Sequence, residues 1–468
     1  MSTAAAARIA ARLDRLPATG AMWRLVALIS IGGIFEFYMV FQTGYLMPAM
    51  RASGLFSASS LGPLSALRSI SIAGGASYVF SLFIGLWVGS LCLSPLADWL
   101  GRRSIFTGAI LWYLLCSAIM ALQHTGLWLN IWRFAAGLGF GLQLVVMDAY
   151  LAELVPAKFR GRAFALNQAI TFSIVPVVAF LSLILVRRHL GGLEGWRLIV
   201  LLGAVGAPVA LWLGRVLPES PRWLALKGRE SQAEAVITQL ESAAVKIVGT
   251  LAAPIPVLPE KAATGRFVEL FSPRYAERSL MMAIFNIGQV VGFYGFAAWV
   301  PTLLMARGIS ITNSLEYSML IALANPFGPL LVMLVGDRIQ RSTQIVIALC
   351  LMGAFMVGFA LSGRPFEIIG FGIAFTLASN AMSSAFHTYQ AELFPTRMRA
   401  QAVGFVYSWS RLSAAFAGLA VGYFLSDGGV PAIAVFIGVT MAISIIIVFA
   451  FGPRTLAQPL ELSLIHIS

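Results

Sequence analysis

Charge is scarce in this chain: Asp, Glu, Lys and Arg together make up 11% of its 468 residues. Soluble domains carry about a quarter of their residues charged, so a water-soluble globular fold is excluded. Cysteine is scarcer still. Cys92, Cys116 and Cys350 stand apart inside apolar runs and give neither a disulfide framework nor metal-ligand spacing, which leaves them as packing residues. No nucleophile has a paired base and no glycine-rich phosphate loop occurs, so an enzyme, a resident metal or cofactor, and an ATP-driven pump are all excluded. Acidic residues are outnumbered, 19 against 32 basic, for a net charge of +13. The excess is spread along the chain and forms no clustered soluble basic domain, so nucleic acid is not an expected partner.

What the chain has in abundance is apolar length. Hydrophobic residues make up 59% of the sequence and the mean hydropathy is +0.86. Runs long enough to cross a bilayer, about 20 residues, lie near 23–47, 75–97, 104–123, 130–152, 163–186 and 195–217, and again near 279–304, 316–336, 343–362, 366–391, 401–425 and 430–452. They are continuous, without the alternation of a β-barrel, and unpaired backbone groups cannot face lipid. The expected fold is therefore an all-α membrane protein of twelve transmembrane helices in two six-helix halves. The halves are placed at 1–217 and 278–453, with a cytoplasmic linker at 218–277 and a tail at 454–468. In the linker, Ser231 and Glu234 have the spacing of a capping box that would open a short amphipathic helix. Leu462 to Ser468 fit no element and resemble a translated cloning scar.

Most basic residues fall on one side when the N-terminus is placed inside, among them Arg8, Arg12, Arg15, Arg24 and Lys158. The basic N-terminal stretch leads into a run too long for a secretory signal, which is read as a retained first helix. Both termini are expected to be cytoplasmic. No large loop follows the first run, which fits a bacterial inner membrane, and a monomer in the bilayer is expected.

The two halves echo each other. Asp148, Tyr150, Glu153, Leu154 and Pro156 are matched 239 residues later by His387, Tyr389, Glu392, Leu393 and Pro395, and the same offset carries Arg160 to Arg399, Asp98 to Asp337 and Arg102 to Arg341. Separate motif pairs sharing one offset indicate a doubled unit, as in transporters built from two parallel halves.

These motifs carry a family resemblance. Gly89, Asp98 and Gly101-Arg102-Arg103, copied as Gly328, Asp337, Arg338 and Arg341, resemble the loop signature of the major facilitator superfamily. Arg133 with Gly137, Gly139 and Gly141 is similar to that superfamily's fourth helix, and Pro218-Glu219-Ser220-Pro221-Arg222-Trp223 to its sugar-porter and organic-ion branch. The signature is incomplete. Trp99, Ser94 and Gln340 replace usual members, and Pro453-Arg454-Thr455 reverses an acid to Arg. Acid and Arg partners at these helix ends are expected to latch the inner gate in one state and part in the other. One latch would comprise Asp98, Arg102, Arg103, Glu153, Arg160 and Arg162, the other Asp337, Arg338, Arg341, Glu392 and Arg399. The alternative is a set of static ion pairs that fixes topology.

Substrate and coupling are read from ionisable groups within the spans, where each charge costs about 2.5–3.5 kcal/mol at the helix centre and so seldom lacks a role. Glu36 lies midway along the first run with no base in its own helix. A carboxyl kept from water there suits a group that binds and releases a proton in each cycle. Its segment resembles the first helix of bacterial metabolite:proton symporters, with Met39 where that pattern has Asp, so Glu36 would act alone. The alternative is a carboxyl hydrogen-bonded for packing.

Arg411 lies about ten residues into the eleventh run, too deep to reach the interface. A guanidinium offers a carboxylate two parallel hydrogen bonds and stays charged. By resemblance to the organic-ion branch, Arg at this position goes with anionic substrates. The other reading, an internal pair with Glu36 or another acid, stays open. Arg133 is expected to hold the fourth helix to its neighbours. Asp148 and His387 form a possible proton relay, against a simple hydrogen-bonded histidine. Tyr38, Gln143, Asn167, Gln168, Asn286, Gln289, Tyr294, Tyr389 and Trp409 would line a central cavity as a set suited to a small planar acid. The expected activity is proton-coupled symport of a small organic anion by alternating access, with substrate, proton and lipid bilayer as partners. A sugar or polyol carrier, an exporter of drugs or organic cations, and a membrane sensor without turnover remain as alternatives.

Overall fold

A computed structural model describes residues 2–63, 75–93, 95–254, 267–273, 275–297, 299–335, 339–394 and 399–455. Among them, twelve apolar helical stretches can be counted as membrane spans. The first six are Gly20–Ala52, Gly75–Cys92, Arg102–Ala121, Gly126–Leu154, Gly161–Leu185 and Gly195–Val216. The seventh to tenth are Ala276–Ala297, Ile311–Leu334, Arg341–Leu361 and Pro365–Glu392. The eleventh and twelfth share the run Arg399–Phe451, which breaks at Gly429, where φ is +64°. That left-handed turn, followed by Pro431, lets the chain reverse at a place where no L-residue sits easily.

The spans follow the apolar runs because a helix is the only way for a single segment to pair its backbone inside lipid. Polar caps mark several starts: the Thr125 hydroxyl accepts from the Trp128 N–H, and the Ser310 hydroxyl from the Asn313 N–H. The eighth helix is interrupted between Ala322 and Phe327, ahead of Pro326, and the carbonyl freed at Asn325 accepts from the Asn380 side chain at 3.0 Å. A buried interruption is tolerated here because a neighbouring helix fills the missing bond.

Glycine explains how the second helix meets the fourth. A Cβ added at Gly89 would lie 2.2 Å from the Leu138 carbonyl oxygen, and one at Gly141 2.1 Å from that of Leu86. The two backbones touch, the close approach that small residues permit in membranes. The repeat mate Gly328 presses on the tenth helix in the same way, 2.8 Å from the Leu377 carbonyl. The halves meet through the second helix against the eleventh and the fifth against the eighth. Ring contacts stitch them together, with Phe80 at 5.8 Å from Phe416 and Phe83 at 4.7 Å from Tyr294.

At one end, the linker folds on the N-terminal residues. An N-terminal helix, Ser2–Asp14, packs Ile9 and Leu13 against Trp223, Leu224, Ala233 and Ile237 of the linker helices Pro221–Leu226 and Glu230–Val248, a small core separate from the spans. Arg8 pairs with Glu234 at 2.9 Å, Arg15 with Glu241 at 2.5 Å, and Arg12 with both acids. The expected capping box is not formed. The helix begins at Glu230, Ser231 lies within it, and Glu234 is drawn outward by the two arginines instead of back to the helix start. Glu241 shows the balance of forces: burial alone would raise its carboxyl, but hydrogen bonds and charge from Arg12 and Arg15 outweigh this and hold it below the usual carboxylate range.

Candidate functional site

Between the halves lies a cavity. Its walls are built by the first, second, fourth and fifth helices of one half and the seventh, tenth and eleventh of the other. Glu36, Asp148, Asn167, Gln168, Gln289, Tyr294, His387 and Arg411 all border it. The repeat mates Asp148 and His387 thus face one space from the fourth and tenth helices, as the doubled unit implies.

Arg411 is buried, at 2% exposure. One terminal nitrogen donates to the Tyr294 hydroxyl at 2.9 Å and the other to the Tyr407 hydroxyl, while Nε has no partner. Its guanidinium lies 4.4 Å from the Tyr407 ring centroid. Among the described residues it forms no ion pair, so the internal pair with Glu36 is not made in this structure. The chemistry of this arrangement is specific. A phenol that accepts from a guanidinium keeps its own proton, so both hydroxyls can donate to a further acceptor beside Arg411. Glu36 is buried across the cavity with Oε2 unpartnered. His387 makes a 3.4 Å contact with the Gln390 amide and lies 5.2 Å, edge to face, from Tyr407.

Tyr407 is the residue missed by reading for polarity alone. Its spacing was a usable signal, since positions four apart share a helix face and Tyr407 stands four before Arg411.

Five residues expected in the cavity do not line it. The Tyr38 hydroxyl donates to the Ile199 carbonyl at 2.6 Å, and that of Tyr389 to the Pro453 carbonyl at 3.0 Å. Asn286 donates to the Met282 carbonyl at 2.9 Å and touches the site only from behind, through Gln289. Gln143 is buried with neither amide atom bonded, and Trp409 turns to Phe405, its N–H unpartnered. Polarity in a membrane helix signals that a side chain points away from lipid, but not which of several buried faces it joins.

Arg133 is fully buried within the N-terminal half. It donates to the Met39 carbonyl at 3.1 Å and to the Thr43 hydroxyl, and lies 4.5 Å from the Tyr78 ring centroid, joining the fourth helix to the first and second.

At the linker end, Arg102 pairs with Glu153 at 3.1 Å, and the backbone N–H groups of Arg102 and Arg103 donate to Glu219 at 2.9 and 3.1 Å. The Arg103 side chain reaches the Leu217 carbonyl at 3.4 Å, and Arg341 lies 3.7 Å from Glu392. These described pairs tie neighbours within one half. Arg162 is exposed. Asp337 and Arg338, and the side chains of Asp98, Arg160 and Arg399, lie outside the described residues.

Twelve apolar helices in two matched halves around a polar cavity define a multi-pass membrane transporter with the major facilitator fold. The chain belongs to the sugar (and other) transporter family, which it matches over residues 26–463. It is 28% identical over 458 residues to the niacin transporter NiaP of Acinetobacter baylyi, covering 97% of this chain and 99% of that one. To the gallate transporter of Pseudomonas putida it is 26% identical over 453 residues, 94% of each. The proton:xylose symporter XylE bound to 6-bromo-6-deoxy-D-glucose shares the fold with a TM-score of 0.73 at 20% identity, over 95% of this chain and 98% of that one. The protein is a transporter and not an enzyme.

Proposed function

We propose that the protein carries out proton-coupled symport of a small organic anion, an aromatic carboxylate foremost, by alternating access. The observation that carries this reading is Arg411: a buried guanidinium that borders an open cavity, makes no ion pair among the described residues, and is flanked by two phenols with protons to donate. A carboxylate there would meet a fixed charge and up to three donors in a dry site, where such bonds are strong. Niacin and gallate, named for two relatives, each join an aromatic ring to a carboxyl group. Glu36, across the same cavity, is the proposed proton carrier, and Asp148 with His387 the proposed relay toward the linker end. With one proton carried per monovalent anion no net charge moves, so the pH difference supplies the drive, about 1.4 kcal/mol per pH unit. The pairs Arg102–Glu153 and Arg341–Glu392 are proposed to brace the helix ends that open and close the inner gate. We place the protein in a bacterial inner membrane as a monomer with both termini cytoplasmic.

The test is uptake of radiolabelled aromatic and aliphatic carboxylates, with sugars as controls, into proteoliposomes with and without an imposed pH gradient. Gradient-stimulated accumulation of an acid, insensitive to the gradient in Glu36→Gln and lost in Arg411→Ala, is the expected result. Sugar uptake indifferent to pH would give the site to a sugar carrier. Export of organic cations, or saturable binding without accumulation, would also overturn the proposal.

A further inference from the structure

Three polar side chains of the N-terminal half are buried and under-bonded. Glu36, Tyr113 and Gln143 are all sealed from solvent, and Glu36 Oε2, the Tyr113 hydroxyl and both atoms of the Gln143 amide have no hydrogen-bond partner. Buried polar atoms left unbonded are costly and rare.

Helix packing brings the three to one seam. The first and third helices both leave the linker end and run the same way. They touch at Gly32, where an added Cβ would meet the Phe106 ring and lie 3.1 Å from Ile110. One turn farther on stand Glu36, four residues past Gly32, and Tyr113, three past Ile110. The Glu36 carboxyl and the Tyr113 hydroxyl interact electrostatically. The fourth helix returns beside the first. Its Met147 sulfur would lie 3.0 Å from a Cβ at Gly33, and its Arg133 reaches the Met39 carbonyl and Thr43, so Gln143, between these contacts, is level with Glu36. Tyr113 completes the seam: its ring stacks on Phe140 at 4.3 Å, and its Cβ would lie 3.3 Å from one at Gly139, a turn before Gln143.

Neither Tyr113 nor Gln143 borders the cavity, so both approach Glu36 from within its own half. The other titratable groups that share the cavity with Glu36 are Asp148 on the fourth helix, Tyr294 on the seventh, His387 on the tenth, and Tyr407 and Arg411 on the eleventh. Arg411 is the only permanent cation in the described lining. A substrate carboxylate bound there would occupy it and leave an ionised Glu36 without a positive partner. Neutral donors can hold a carboxylate instead. A phenol O–H and an amide N–H are such donors, and here both are unengaged.

We infer that Tyr113 and Gln143 are positioning residues for Glu36: the Tyr113 hydroxyl and the Gln143 amide donate to its carboxylate once the proton has left to water, and neither gives up a proton of its own. The titration is a property of the resting protein; that it serves transport rests on the symport reading above.

The test is infrared difference spectroscopy of the purified full chain in detergent as pH is stepped, with the Glu36 carboxyl identified as the band lost in Glu36→Gln. Tyr113→Phe keeps the ring on Phe140, and Gln143→Met keeps most of the side-chain volume. In each, the protonated band is expected to persist to higher pH, its midpoint raised by about one unit or more, because removing a donor to the carboxylate favours the protonated form and one unit is a tenfold change in that balance. Tyr78→Phe, which removes a hydroxyl elsewhere in the same half, is expected to leave the midpoint in place. In wild type, the appearance of the carboxylate is expected to shift a tyrosine C–O stretch, a signal that needs no variant to fold. A midpoint within about 0.3 unit of wild type in either variant, a midpoint lowered in either, or a wild-type carboxylate that appears with no tyrosine shift would each overturn the inference. If the midpoints move as described while a pH gradient fails to stimulate uptake, the symport reading fails and the assignment of Tyr113 and Gln143 stands.

Discussion

Arg133 in the fourth helix and Arg411 in the eleventh are both buried, at 0% and 2% exposure, and each lies over a tyrosine ring at nearly the same distance, 4.5 Å for Tyr78 and 4.4 Å for Tyr407. Their neighbourhoods differ. Arg133 is packed within one half, bonded to the Met39 carbonyl and Thr43, and does not border the cavity between the halves. Arg411 faces the space between the halves and is held by two phenols that keep their protons. Burial and charge alone do not mark a ligand site. The difference is adjacent volume, and whether the groups holding the guanidinium can also serve a ligand.

The comparison breaks most directly at the guanidiniums themselves. Arg411→Ala should lower carboxylate uptake at least about 100-fold, since two charge-assisted hydrogen bonds contribute about 1.5–3 kcal/mol each and every 1.4 kcal/mol is tenfold. Its thermal midpoint in detergent should change little. Arg133→Ala should do the opposite, opening a void that destabilises by about 2–5 kcal/mol, as other large-to-small core changes do, while uptake per folded molecule stays within a few-fold. Arg133→Met, which refills the volume, should recover most of that midpoint. Equal uptake losses in the two alanine variants would erase the distinction.

A gentler pair of changes tests the tyrosines. Tyr407→Phe keeps the ring under Arg411 but removes the hydroxyl, and should raise KM for the carboxylate about tenfold with a smaller change in maximal rate. Tyr78→Phe should leave uptake unchanged, because among the described residues that hydroxyl reaches only the Met120 sulfur, at 3.7 Å. A parallel response would show that Tyr407 serves packing alone.

The smallest effect is expected where the ion pairs are wet. Glu241 is held below the usual carboxylate range by Arg12 and Arg15. A carboxyl depressed by folding contributes stability that is fully present above its unfolded value, about pH 4.3 for Glu, and lost as pH falls through its folded value. Hydrogen exchange across residues 2–14 should therefore stay slow at neutral pH and accelerate only at pH below that unfolded value. In Glu241→Gln it should be faster at neutral pH with a weaker acid step. Uptake should move less than twofold, because partly exposed pairs contribute about 1 kcal/mol or less.

Much of this architecture was legible in the sequence, for identifiable reasons. Lipid demands long apolar helices, so the spans near 130–152 and 343–362 could be read from hydropathy alone. The offset that pairs Gly89 with Gly328 also placed both at close helix contacts. Glu36 and Arg411 stood out because charge within a span is rare. The cavity walls were harder. Asn286 and Gln289 are three apart in one helix and equally polar, yet one bonds back to its own helix while the other borders the cavity. The N-terminal helix was missed too, since Ile9 and Leu13 find their core only on linker residues more than 200 positions away.

The sequence by itself therefore determined the solvent, the number of spans, the doubling and the few charges that lipid would otherwise forbid, because each of these is set by local composition against a fixed bilayer. Only the tertiary structure decided which buried arginine meets open volume, which tyrosines hold it, and which polar side chains turn away from the cavity. Those outcomes depend on how helices distant in sequence rotate against one another, and a helix buried on several faces carries no periodic mark of which face its neighbour will leave open.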